Sequence, residues 1–343
     1  MLTETPLIFT IVFPERIDVV SAPMPAACRS DSSLIALVPV PAVALGAVVA
    51  HLHGVAITAF VPSFVATAIG TLVIVYLASA APRSRARTPS PWRTVAILGA
   101  AVGALAGTLL TAGVAGVAGG DGVGGGDGVG SVHRWLPLGA VALQVSALVS
   151  PWLLATLATA PATLARPLTA LLCSAQIVHL AQPDAAQATA LALGSLPILA
   201  TATQLATGTR GLVAGALIAL AVLTWLRPDP LLPVAHVEQI FDLAHALGPA
   251  WLVACLAASA LLFVPLAWPL PWPRVGRQAA PPVSRARLAV GVYLLTTLVL
   301  PCVGHFPVPI VGAGGGHVLG WYAALGVMIA AARRPRGPNP ETP

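Results

Sequence analysis

Apolar residues in this chain gather into long blocks, broken by short stretches that are basic, proline-bearing or glycine-rich. A helix that crosses a bilayer needs about 20 predominantly apolar residues, and ten blocks approach or reach that length. They cover 34–50, 57–80, 94–118, 135–160, 168–181, 186–206, 211–226, 247–272, 288–304 and 317–332. The pattern predicts an all-α fold, a polytopic transmembrane helical bundle over 34–332. The blocks at 168–181 and 211–226 are short, so about ten spans, or eight spans plus these two as re-entrant pieces, both fit the pattern.

Outside the blocks, residues 1–33 are expected to form a poorly ordered tail. The apolar stretch 5–14 has signal-peptide length, but Glu4 precedes it and it has no basic leader. Residues 333–343 are rich in Pro and Arg and are expected to be a disordered tail. The segment 119–130 repeats a Gly/Asp hexamer containing Asp121 and Asp127; it lacks the fixed apolar position of calcium-binding repeats and reads as a flexible linker. Pro-Val-Pro recurs at 39–41 and 307–309, the one hint of an inverted repeat.

Composition agrees with the blocks. Of 343 residues, 57% are apolar and 8% are charged, against about 25% charged in soluble domains. So few charges cannot keep this much apolar surface in water, which sets aside soluble enzymes and disulfide-stapled secreted domains. The excess of Arg over acidic residues suggests no nucleic-acid partner, because the arginines lie in short clusters between blocks. Cytoplasmic loops collect such clusters. Arg83, Arg85, Arg87 and Arg93, then Arg166, Arg210, and Arg274, Arg277, Arg285 and Arg287 fall in alternate loops, with Arg333, Arg334 and Arg336 in the tail. The intervening loops carry only Arg134 and Arg227. This alternation predicts an even span count, both termini in the cytoplasm, and a multi-pass protein of the cell (inner) membrane in contact with the lipid bilayer.

Candidate chemistry is sparse. No block has an internal carboxylate or Lys, which disfavours a carboxylate-based proton pump. Motifs of the G-x-S-x-G, H-E-x-x-H and P-loop types are absent. The run at 312–316 lacks the strand and Lys of a phosphate loop, and close helix approach explains it better. Gln144, Gln176 and Gln204, with Ser and Thr, are expected to bond between helices. Cys28, Cys173, Cys255 and Cys302 have no paired spacing and read as free thiols. Pro62, Pro151, Pro197, Pro265 and Pro301 are expected to kink helices, and Trp92, Trp135, Trp225, Trp268, Trp272 and Trp321 to form interfacial belts.

Histidine supplies the one strong asymmetry. With the orientation set by arginine, all eight histidines fall on or beside the outer side. Imidazole is a common ligand of zinc, copper and haem iron. His51, His53, His179, His305 and His317 are therefore candidate metal ligands, while His133 ends the Gly-rich segment. Residues 234–247 have apolar positions at helical spacing and predict a surface amphipathic helix, with Glu238, Asp242 and His245 as a weaker ligand set on its polar face. Three functions follow: binding of copper, zinc or haem for redox work or metal delivery to a respiratory partner; a permease or carrier for a small neutral or apolar solute; or a structural subunit among other membrane subunits.

Overall fold

The computed structural model describes residues 34–79, 91–110, 134–138, 141–227, 233–267 and 281–333. The two tails (1–33 and 334–343), the Gly/Asp repeat, Cys28, His133, Trp268 and Trp272 lie outside the described residues. The chain is an all-α membrane bundle with one short hairpin. Its helices are α1 (Pro39–Leu52), α2 (Val61–Ser79), α3 (Pro91–Gly107), α4 (Val145–Thr159), α5 (Ala165–Ala181), α6 (Ala185–Thr201) and α7 (Thr207–Trp225). They continue with α8 (Ala235–Glu238), α9 (Ile240–Leu247), α10 (Pro249–Leu261), α11 (Val264–Ala267), α12 (Pro281–Val299) and α13 (Gly315–Ala332). Strands β1 (Trp135–Leu138) and β2 (Val141–Gln144) pair antiparallel, Trp135 opposite Gln144.

Among the described residues, 8 helical segments are long and apolar enough to cross a membrane, and two further apolar helices, α4 and α6, are shorter. The lengths differ from the sequence expectation in an instructive way. The blocks that looked short extend backward to give the segments Ala162–Ala181 and Thr207–Trp225, both of spanning length. Two blocks that looked long contract: the first part of 135–160 is the hairpin, and 186–206 ends at Thr201. Hydropathy alone cannot separate an apolar hairpin from a helix start, because both bury apolar side chains.

The short helices are the central ones. α13 packs against α4 and α2, and α12 packs against α6 and α4. Nearly every residue of α4 is buried, so protein, rather than lipid, surrounds it. Two glycines of α13 permit this contact. A Cβ on Gly316 would lie 2.4 Å from the Gln144 carbonyl oxygen, and one on Gly320 would lie 2.2 Å from that of Ala147. Close backbone approach of this kind is how helices associate where no hydrophobic force separates them from lipid. The periphery is the reverse: Leu72 on α2, Leu212 on α7 and Val253 on α10 are 70%, 74% and 63% exposed, as lipid-facing side chains must be.

Several smaller expectations change. Only Pro151 and Pro197 lie inside long helices. Pro62 opens α2, Pro265 sits in α11 and Pro301 sits in the 3-10 turn that follows α12. Trp92 and Trp225 are exposed at helix ends, but Trp321 is buried in α13, where its indole donates to the Leu262 carbonyl at 3.3 Å. Gln176 bonds between helices, donating to the Ala188 and Leu217 carbonyls, each at 3.0 Å, whereas Gln204 is exposed in a turn. Arg285 and Arg287, read as loop residues, belong to α12.

Candidate functional site

Hydrogen bonds join the connections at one end of the bundle into a layer. The Val308 and Ala313 amides donate to the Val237 and His236 carbonyls at 2.9 and 3.0 Å. The Gly314 amide donates to the Ser63 hydroxyl at 3.0 Å, and His53 Nε2 donates to the Leu243 carbonyl at 2.8 Å. Arg134 donates to the carbonyls of Gln182 and Pro183. All seven described histidines belong to this histidine-bearing end.

They do not converge. His51 bonds locally to the Val55 carbonyl at 3.4 Å, and His236 lies 6.5 Å from the Phe60 ring. His179 is fully buried in α5, His317 is buried in α13, and His305 lines a surface cleft. Among the described residues no group of three or more His, Cys, Asp or Glu side chains is placed to hold a metal ion. The segment 234–247 breaks at Gln239 (φ −115°, ψ 24°) into α8 and α9. Glu238 therefore ends one helix while Asp242 and His245 lie in the next.

What the end does contain is a buried polar network built around a residue that the sequence reading left in a loop. Asp184 is 1% exposed. One carboxylate oxygen caps α6 by accepting the Gln187 amide at 3.3 Å. The other accepts from the Gln144 amide group at 3.3 Å and the Ser146 hydroxyl at 3.2 Å, both at the start of α4. A carboxylate at the N-termini of two helices sits where their dipoles favour negative charge. Gln187 carries the network inward. Its Oε1 accepts the Tyr293 hydroxyl of α12 at 2.6 Å, and its Nε2 donates to His317 Nε2 of α13 at 3.4 Å. The four central helices thus meet through Asp184, Gln187, Tyr293 and His317. Leaving any partner of such a network unmade costs more than making it gains.

Beside the network lies a cleft of about 190 Å³, lined by Pro183, Ala185, Trp225, Arg227, His305 and Phe306. Pro183 and Ala185 bracket Asp184, so cleft and network share the α5–α6 connection. Arg227 is fixed at the rim by Nη1, which donates to the Leu180 and Ala181 carbonyls at 2.6 and 3.3 Å, the C-terminus of α5. Trp225 donates to the Thr189 hydroxyl at 2.9 Å and meets the Phe306 ring edge-on at 5.3 Å. A guanidinium and an imidazole beside an aromatic wall suit a ligand with one anionic group and an apolar or planar body. Sequence reasoning missed Asp184, Gln187 and Tyr293: the Asp184–Gln187 cap is a local signal, but their bonds to Gln144, Ser146, Tyr293 and His317 join residues far apart along the chain.

No protein-family model matches this sequence, and no curated protein sequence matches it. Among solved structures, the chain is similar to the crystal structure of RodA, the rod shape determining protein of Thermus thermophilus. The TM-score is 0.53 at 19% sequence identity, over 87% of this chain and 95% of that one. The likeness shows a shared polytopic membrane fold.

Proposed function

We propose that this protein works in the cell envelope by binding the anionic headgroup of a membrane-borne molecule at its histidine-bearing end. The observation that supports this reading is the cleft in which Arg227 and His305 stand beside the Trp225–Phe306 wall, where the spanning helix α7 ends. A phosphate or carboxylate would take guanidinium and imidazole donors, while the attached apolar body stays at the level of the interfacial tryptophan. The fold shared with a rod shape determining protein supports an envelope role. In this reading the protein resides in the cytoplasmic membrane, with its arginine-rich loops inside and the cleft outside.

The test is native mass spectrometry of the purified protein with phosphatidylglycerol, phosphatidylcholine and inorganic phosphate. The reading expects retention of phosphatidylglycerol above phosphatidylcholine, weakened by His305→Gln and Arg227→Gln. Equal retention of both lipids by parent and variants overturns it. Retention of free phosphate alone would move the ligand from the bilayer to solution.

A second reading, ligation of copper, zinc or haem iron, rests on His179: both of its ring nitrogens are buried without a hydrogen-bond partner. Among the described residues no group of three or more His, Cys, Asp or Glu side chains is placed to complete a ligand set around it. Metal analysis and a reduced-minus-oxidised spectrum test it, and a stoichiometric metal lost in His179→Ala is the result it requires.

A further inference from the structure

Every backbone carbonyl from Val178 to Pro183, the end of α5 and the turn after it, has a donor. The Val178 and His179 carbonyls accept the Gln182 and Asp184 amides at 2.9 and 3.0 Å. The Leu180 and Ala181 carbonyls accept Arg227 Nη1. The Gln182 carbonyl accepts Nε of Arg134 at 3.4 Å, and the Pro183 carbonyl accepts its Nη2. The two guanidiniums arrive from opposite directions along the chain, Arg134 from the residue before the hairpin and Arg227 from just beyond α7. They are the same two arginines that the sequence places in the connections alternating with the basic loops. A helix C-terminus attracts cations, which gives their meeting here a physical cause.

The headgroup cleft lies against this turn, because Pro183 and Ala185 line it. Without the arginines the turn would be a negative wall. The carbonyl end of a helix is equivalent to about half a negative charge, and Asp184, between the two lining residues, is a buried carboxylate. Arg227 offsets this from within the lining. Arg134 is not among the lining residues; it is 3% exposed. A charge buried in this way is screened much less than one at the surface, so its field reaches the cleft through protein.

We propose that Arg134 is a positioning residue that sets the sign of the potential in the cleft, so that the site takes an anionic headgroup in preference to a zwitterionic or cationic one. The inference rests on the headgroup reading and adds to it a specificity determinant outside the cleft lining. Gln182 holds the target of Arg134 in place from the other side, its amide group donating to the Leu105 carbonyl at 3.0 Å and to the Thr108 hydroxyl.

The test is native mass spectrometry of the full-length protein with an equimolar mixture of phosphatidylglycerol, phosphatidylcholine and the cationic lysyl-phosphatidylglycerol, read as ratios of adducts. The parent is expected to prefer phosphatidylglycerol. Arg134→Gln is expected to lower its ratio to phosphatidylcholine by about fivefold and to raise the share of the cationic lipid. Arg134→Lys, which keeps the charge without the planar fork, is expected to hold the parent's ratio. A merely structural role predicts otherwise: Arg134→Gln would lose all three lipids together, and Lys would not rescue. Unchanged ratios in Arg134→Gln, or an Arg134→Lys protein that folds and loses the preference, overturn the inference and leave the headgroup reading standing. A parent without any preference overturns both.

Discussion

The two ends of this bundle satisfy most of their charge in different ways. At the arginine-rich end, guanidinium groups reach across to helix C-termini. Arg333 donates to the Leu77 and Ala78 carbonyls at the end of α2, and Arg210 and Arg285 donate to the Ala200 and Thr201 carbonyls at the end of α6. These two bonds are solvent-exposed, although Arg210 and Arg285 are half-buried as residues. At the histidine-bearing end a carboxylate is buried and answered by an amide, a hydroxyl and a backbone N–H. Exposed charges at helix ends contribute little, because water and salt screen them. A buried, bonded charge is costly to disturb. The first arrangement orients a protein in a membrane, and the second specifies a geometry.

The sharpest way to break this contrast is Asp184→Ala. It removes the α6 cap and strands buried donors on Gln144 and Ser146, so a loss of about 3 kcal/mol is expected in detergent unfolding. Asp184→Asn keeps an acceptor and should cost clearly less. A loss below about 1 kcal/mol for Asp184→Ala would make the two ends equivalent. Arg333→Gln, at the other end, is expected to cost at most about 1 kcal/mol and to lose that effect in high salt.

A smaller effect comes from the half-buried imidazole of His236. Burial holds His236 below the ordinary imidazole value of 6.5, so the folded state favours its neutral form. Its contribution is present above pH 6.5 and is lost as pH falls from there through the lowered value. His236→Gln should therefore flatten the acid side of the stability profile relative to the parent, read by thermal unfolding between pH 7.5 and pH 5. An unchanged acid limb would contradict this expectation.

Much of this organisation was legible in the sequence, and the rest was hidden for definite reasons. Ten apolar blocks mark the helices because lipid and protein interiors both demand apolar side chains. Their lengths misled at α4 and α6 because enclosed helices need not match the bilayer thickness. The gathering of His51, His53, His179, His305 and His317 at one end could be read from topology. Their separation could not, because side-chain convergence depends on which helices pack together. Asp184 was invisible for a related reason: at a block boundary it resembles a solvated loop residue, and only the folding of the hairpin and α4 against it buries it. Tyr293 and Gln187 lie 106 residues apart, and nothing local links them.

The central proposal is that the histidine-bearing end holds a specific anion-headgroup site, while the surface arginines at the other end attract lipid only through screened charge. A photo-cross-linking amino acid placed at position 305 or, in a separate variant, at position 285 tests this in vesicles containing phosphatidylglycerol. The account predicts lipid adducts at 305 that persist in about 0.5 M salt, where the Debye length falls to a few ångströms, and adducts at 285 that fade. Adducts at 305 that are absent, or that fade together with those at 285, would contradict it.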